Sequence, residues 1–389
     1  MAARCAAGRG RRTLLLERNR SPGLKILISG GGRCNLTTTR TGRDLEDEYG
    51  PRRGTFLRHA LRQFPPARLV EMFEDAGVPL REEDLDKVFP CSQRARDILD
   101  ALLRMVGQAG AVVRTGTCVS SLRRDGNWIV ETPGGELRAE SVVLATGGLS
   151  YPKTGSRGDG HRWLLSLGHT LTRTVPALAP ILVEESWVRE LSGIVLPAAE
   201  IAILDRASRV ARLRRRPILF THFGLSGPAP MDLSGDIEEQ GGRAVLEIDF
   251  VPDSSRKDLE ERWLEAARTS GRRAVEAALP PDLPERLRRA LASVHGVRGP
   301  LASVSRADRR RILDGLKATR IHATGTRGFA HAEVTRGGVE LSEVDARTMG
   351  SLVLPGLFLC GEILDVDGPI GGFNFQAAFA TGRLAGLSA

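Results

Sequence analysis

An α/β fold is predicted by three short apolar runs that each end in glycine or an acid. They are Arg12 to Glu17 (RTLLLE), Val142 to Thr146 (VVLAT) followed by Gly147-Gly148, and Pro355 to Glu362 (PGLFLCGE). Amphipathic helical patterns separate them, the arrangement expected of a sheet built from strand–helix–strand units. At 389 residues the chain is long enough for two or three domains with their own cores.

Composition narrows the class. Hydrophobic residues make up 41% and charged residues 26%, which excludes a disordered chain. No apolar segment reaches the roughly 20 residues of a membrane helix. The first residues carry no signal-peptide pattern, so the expected location is the cytoplasm. Cys5, Cys34, Cys91, Cys118 and Cys360 are scattered without a C-x-x-C pair, which favours free thiols. A net charge of +9 raises the question of nucleic acid. The densest blocks, Arg9 to Arg12, Arg214 to Arg216 and Arg309 to Arg311, lie far apart and lack interleaved aromatics. A solvated basic face is the reading taken over a nucleic-acid surface.

In chain order, Met1 to Gly10 reads as an Ala-rich helix stopping at glycine. The strand ending in Glu17 resembles the second strand of a dinucleotide fold, whose terminal acid holds the adenosine ribose. That acid follows a glycine-rich phosphate loop by about 20 residues; here the count runs off the start of the chain. A plain surface glutamate is the alternative. Lys25 to Asn35 (KILISGGGRCN) drives an apolar run into Ser29 and the glycines Gly30, Gly31 and Gly32. Such a triplet suits either a slack loop or backbone pressed against a ligand.

Residues 51–110 read as amphipathic helices, with Phe56, Leu57, Leu61 and Phe64, then Ile98, Leu99 and Leu102, at helical spacing. Strands with turns at Asp125-Gly126 and Pro133 to Gly135 follow. The run Val142 to Thr146 is apolar throughout, as a buried parallel strand should be. Its Gly147 and Gly148 place backbone amides at a carboxyl-end crevice, where such sheets bind ligands. Within a β-rich stretch, between the runs Pro217 to Phe220 and Val245 to Phe250, Ser226 ahead of Pro228 suggests a capped helix start. Residues 254–320 are helical and charged. The end of the chain carries Gly361-Glu362, then Gly371-Gly372 before a helix from about Gln376 to Leu387, offering free amides to an electron-rich ligand atom. Asp365 and Asp367 lack the partners of a metal site.

With these residues in view, the chain resembles the BaiN/RdsA-type FAD-dependent oxidoreductases, some members of which are labelled bile-acid reductase or aminoacetone oxidase. The matching runs are KILISGGGRCN, Leu144 to Gly160 (LATGGLSYPKTGSRGDG), Phe220 to Pro228 (FTHFGLSGP), Ala332 to Met349, and Gly356 to Phe379. The resemblance implies a discontinuous Rossmann-like FAD-binding domain in residues 1–170 and 326–389. It is interrupted by a β-barrel-like insertion (171–252) and a helical one (253–325). By position, Glu17 would bind the adenosine ribose and Val119 would lie beside the adenine. Thr146, Gly147 and Gly148 would line the cofactor crevice, with Gly361 and Glu362 at the ribityl or pyrophosphate region. Gly372, Phe373, Asn374 and Gln376 would bring the helix start to the flavin's pyrimidine edge. Lys25, Ser29 to Gly32, Arg33, Cys34 and Asn35 would form the flavin-side loop. The resemblance also implies a first strand and Gly-rich loop that are missing ahead of Met1, so the chain as written is expected to hold FAD weakly or not at all.

The implied chemistry is NAD(P)H-driven reduction of an activated carbon–carbon double bond in a small-molecule substrate. Lys25 and Arg33 are candidates to stabilise the reduced cofactor, each against a plain surface cation. Cys34 is a redox thiol or a small filler. His222 is a proton donor or a structural histidine. A flavin oxidase passing electrons to dioxygen from an amine, and a cofactor-deficient remnant, remain as alternatives. No oligomeric state follows from the sequence.

Overall fold

Two parallel strand pairs stand where the apolar runs place them. Leu14–Leu16 pairs with Val112–Arg114, and Val142–Leu144 with Leu357–Leu359. Both belong to one unit of the computed structural model, which describes residues 1–389. That unit comprises Met1–Pro176 and Phe329–Ala389; the other is Ala177–Gly328. The strands are less buried than their sequence suggests. Leu14 is exposed, Val142 and Val143 are half-buried, and only Leu144 of its strand is fully covered. Each pair is only two strands wide, and the outer edge of Leu357–Leu359 is met by backbone bonds from Ser351 and to Met349. The helix Ala2–Gly8 packs on the C-terminal helix Phe373–Ser388. Close approach of the two backbones needs Gly386, where a Cβ would overlap the Ala2 carbonyl.

The region expected to be helical throughout 51–110 is interrupted. Helices Gly50–Gln63, Pro66–Asp75 and Ala95–Gln108 are present, but Leu80–Glu83 and Lys87–Pro90 form an antiparallel hairpin between them. Thr37–Thr38 adds a third strand to it. The C-terminal helix begins at Phe373, one turn earlier than expected.

In the second unit the β-barrel-like expectation is corrected to an open sheet. Its eight strands run Val195–Leu196, Ile218–Thr221, Gly224–Ser226, Ile181–Val183, Thr319–Thr326, Ala244–Asp249, Glu200–Leu204 and Val210–Arg215. All pairings are antiparallel, and the first and last strands are free edges. The β-rich and helical stretches share one core, in which Ile201, Phe220 and Ile248 meet Trp263, Leu287 and Ile312. Ser226 caps nothing: it ends a strand, and the helix Pro228–Glu239 starts from Gly227 without a side-chain cap. No helix is long and apolar enough to cross a membrane.

One buried carboxylate in the first unit gives a pH test. Glu46 is 4% exposed and accepts from Arg58 Nε and Arg62 Nε, each at 2.9 Å. Burial opposes its ionisation, but the two guanidinium hydrogen bonds outweigh it and hold the carboxyl below its usual range. A lowered folded pKa means the stabilisation is present above the unfolded carboxylate pKa and is lost as pH falls through the folded one. Glu46→Gln is expected to cost about 1–2 kcal/mol at neutral pH, because both arginines are half-exposed and rehydrate. In acid melts its deficit should shrink towards zero; a deficit constant from neutral to low pH would refute the linkage.

Candidate functional site

The Lys25–Asn35 stretch is a short helix, Leu24–Ile28, running into a tight turn at Ser29–Gly32. Gly30, Gly31 and Gly32 all take positive φ, as does Cys34 at 64°. Gly30 is the glycine that contact requires, since a Cβ there would lie 2.9 Å from the Asn35 amide, whereas Gly31 faces open space. Cys34 is 1% exposed, and burial pushes its thiol up to about 12. Burial thus disfavours the thiolate that a nucleophilic role would need. Arg33 is likewise engaged: Nη1 donates to Glu83 Oε2 at 2.9 Å and Gln93 Oε1 at 2.8 Å, with the guanidinium 4.2 Å over the Phe89 ring.

Asn35 joins this turn to the end of the chain. In the amide orientation that satisfies both ends, it donates to the Thr37 carbonyl and accepts from the Gly372 N–H. Gly372 has φ 87°, and a Cβ there would overlap the Thr37 carbonyl. Behind it, Gln376 is fully buried, accepting from Thr37 Oγ1 and donating to the Phe64 carbonyl, both at 2.7 Å. Asn374 bonds Gly368 in both directions, and the Tyr49 hydroxyl donates to the Phe373 carbonyl at 2.7 Å. The side chains of Asn374 and Gln376 are thus consumed in building the loop. What they leave to a ligand is the start of a 16-residue helix, with its positive dipole end.

The preceding loop is braced by charge. Asp365 and Asp367, both nearly buried, pair with Arg53, and further with Arg52 and Arg336 respectively. This network ties the helix Gly50–Gln63 to the segment leading into Gly371-Gly372 and occupies the carboxylates that could have suggested a metal.

Lys25 and Glu362 form the charged centre. Lys25 Nζ lies 2.5 Å from Glu362 Oε2 and 2.8 Å from Ser150 Oγ, while Ser150 Oγ lies 2.6 Å from Glu362 Oε1. Beside them Thr146 Oγ1 is buried without any partner, and Gly160 leaves it room: a Cβ there would overlap that oxygen. Gly147 has φ 71°, and Gly148 is crowded by Thr335 and Glu362. Farther along, Glu17 closes the strand Leu14–Leu16. Its N–H donates to Arg114 O and its carbonyl accepts from Thr117 N, both at 2.9 Å. Its carboxylate accepts from Asn19 N–H at 2.8 Å. Arg18 pairs with Asp159 and lies 3.2 Å from Cys118 Sγ, next to Val119. Asn19 reaches the Thr154 carbonyl, so the Glu17 strand end and the 146–160 loop adjoin.

His222 belongs to the second unit. It is exposed at the hairpin tip between Ile218–Thr221 and Gly224–Ser226, edge-on to Phe223. Sequence reasoning missed Thr37, Ser150 and Thr335, whose only signal was their place beside the glycine runs.

The HI0933-like protein Rossmann domain matches residues 1–388. The chain belongs to the HI0933-like family. It is an enzyme of oxidoreductase type with a Rossmann nucleotide-binding domain. A ribosomal RNA dihydrouridine synthase of Escherichia coli (strain K12) is 31% identical over 377 residues, covering 96% of this chain and 90% of its own. A 3-dehydro-bile acid delta(4,6)-reductase of Clostridium scindens is 29% identical over 381 residues, covering 96% and 92%. Among solved structures, the 3-ketosteroid-delta4-(5alpha)-dehydrogenase of Rhodococcus jostii RHA1 is 15% identical, covering 100% of this chain and 93% of its own, with a TM-score of 0.48.

Proposed function

We propose that this HI0933-like chain uses FAD, reduced by NAD(P)H, to saturate a carbon–carbon double bond conjugated to a carbonyl in a small organic substrate. The observations that carry the reading are the junction of the Gly30–Asn35 turn with Gly372 and the orphaned Thr146 hydroxyl. A cradle of glycines, an unpaired buried hydroxyl and a helix start suit a flat, polar cofactor with an electron-rich edge. FAD would supply hydride transfer to the substrate carbon.

In this proposal Gly147, Gly148 and Thr146 bind the cofactor, Lys25 and Glu362 orient it, and the helix start at Phe373 faces its electron-rich edge. Lys25 supplies positive charge there, whereas Arg33 is held by Glu83 and Gln93 and acts on the turn. Glu17 and Val119 remain proposed for the adenosine end. The proton that completes saturation at the neighbouring carbon is taken from solvent.

The names of two relatives support the bond class. Dihydrouridine synthesis and reduction of a delta(4,6) steroid each remove a double bond conjugated to a carbonyl. They also favour a second reading, in which the double bond belongs to uracil in RNA, and the net charge of +9 agrees with it. Against it, the arginine blocks are largely paired within the chain: Arg216 with Asp232, Arg215 with Asp253, Arg309 with Glu260 and Arg311 with Asp308.

The test is anaerobic. Protein loaded with excess FAD and reduced by NADPH or NADH is mixed with a simple cyclic enone, with a uridine-containing ribosomal RNA fragment, or with dioxygen, and return of the oxidised flavin spectrum is timed. Fast reoxidation by the enone supports the primary reading, and by RNA alone the second. Reoxidation by dioxygen only would replace both with an oxidase.

A further inference from the structure

We propose that Thr335 and Ser150 are positioning residues of the cofactor crevice, an inference that rests on the FAD reading above. Thr335 sits fully buried in the strand Val334–Arg336. Its Oγ1 accepts from the Leu149 N–H at 2.8 Å and the Ser150 N–H at 3.1 Å. Its own N–H donates to Glu362 Oε1 at 3.0 Å. One residue therefore fixes both the Gly147–Ser150 turn and the carboxylate of Glu362.

Ser150 completes the brace from the other side. Its fully buried hydroxyl donates to Glu362 Oε1 and accepts from Lys25 Nζ. A hydroxyl has one proton to give, so this bridge sets its direction: from lysine, through serine, to glutamate. The four segments that meet here are separated by more than a hundred residues at two of their three junctions, and these side chains join them beyond the backbone pairing of Val142–Leu144 with Leu357–Leu359.

Gly148 records the same constraint. A Cβ there would overlap Thr335 Oγ1 and come within 3.0 Å of Glu362 Oε1, so glycine and threonine are a matched pair. With the Leu149 and Ser150 amides taken by Thr335, the Gly147 and Gly148 N–H groups and the Thr146 hydroxyl have no partner in the chain. These are the groups left to hold a cofactor, and Thr335 aims the turn that carries them.

The test compares Thr335→Val, which keeps the shape and removes the acceptor, with Thr335→Ser, which restores it. FAD affinity is read by quenching of flavin fluorescence, and amide exchange across residues 144–160 is read without cofactor. Thr335→Val should weaken FAD binding about tenfold and speed exchange of the turn, while Thr335→Ser stays within about twofold of wild type. If Thr335→Val does not fold, Ser150→Ala carries the test, with the same tenfold loss expected. Full FAD affinity in a folded Thr335→Val or Ser150→Ala protein would overturn the inference alone, even with faster exchange. Failure of the unaltered chain to quench FAD at any concentration would bear out the expectation that the chain as written does not hold FAD, and would overturn both the FAD reading of this chain and the inference with it.

Discussion

Gly372→Ala is expected to unfold the first unit several degrees earlier than Gly31→Ala, and to weaken FAD binding. Gly372 adopts φ 87°, a left-handed conformation that costs an alanine about 1–2 kcal/mol. The larger part is steric. The added Cβ would overlap the Thr37 carbonyl, a backbone group that cannot rotate away. Relief requires moving Thr37, which also breaks the Asn35–Gly372 link and the bond from Thr37 Oγ1 to buried Gln376. Together these should destabilise the unit by roughly 3–4 kcal/mol, the range of severe backbone and network lesions. Gly31→Ala is the control, because Gly31 also has positive φ (69°) but faces open space. It should lose only the conformational part, about 1–2 kcal/mol. Calorimetric melts of both variants decide the matter. Equal transitions for the two would mean that the Thr37 contact is not what requires glycine.

That contact also shows where sequence reading stops. The glycine runs at 30–32, 147–148 and 371–372 were legible because glycine in tandem is costly and signals a special backbone. The acid at Glu362 and the strand ending in Glu17 were legible from the apolar runs before them. Gln376 was placed at the ligand by position, yet its amide is spent on Thr37 and Phe64, partners 339 and 312 residues away in sequence. No local pattern announces such partners. Thr335 and Ser150 are weakly marked for the same reason: a single hydroxyl, in a strand or in a loop, has no periodicity. The hairpin Leu80–Pro90 escaped because its turn puts Leu85 and Asp86, rather than Asn-Gly, at positive φ. Closure of a sheet is likewise a tertiary property, and eight strands with apolar alternation fit an open sheet as well as a barrel.

The charged centre gives the other large effect. Glu362→Gln should cost about 2 kcal/mol of stability and about thirtyfold in FAD affinity. The carboxylate receives Lys25 Nζ, Ser150 Oγ and the Thr335 N–H, so it is acceptor only. A glutamine in its place presents an N–H to one of these donors. Ser150 can rotate its proton away, but the Thr335 amide and the Lys25 ammonium cannot. Lys25 and Glu362 side chains are 28% and 17% exposed, so the penalty lies between that of a surface pair and that of a fully buried one. Lys25→Met alone leaves the carboxylate with two hydrogen bonds and no counter-charge, and should cost a similar amount. The double variant Lys25→Met with Glu362→Met removes both charges together and should recover about 1–2 kcal/mol relative to the sum of the singles. Recovery in stability with no recovery of FAD affinity would mark the pair as a structural clamp that also presents its charge to the cofactor. Strict additivity in both measurements would mean that Lys25 and Glu362 act independently, and that the short contact between them does not organise the site.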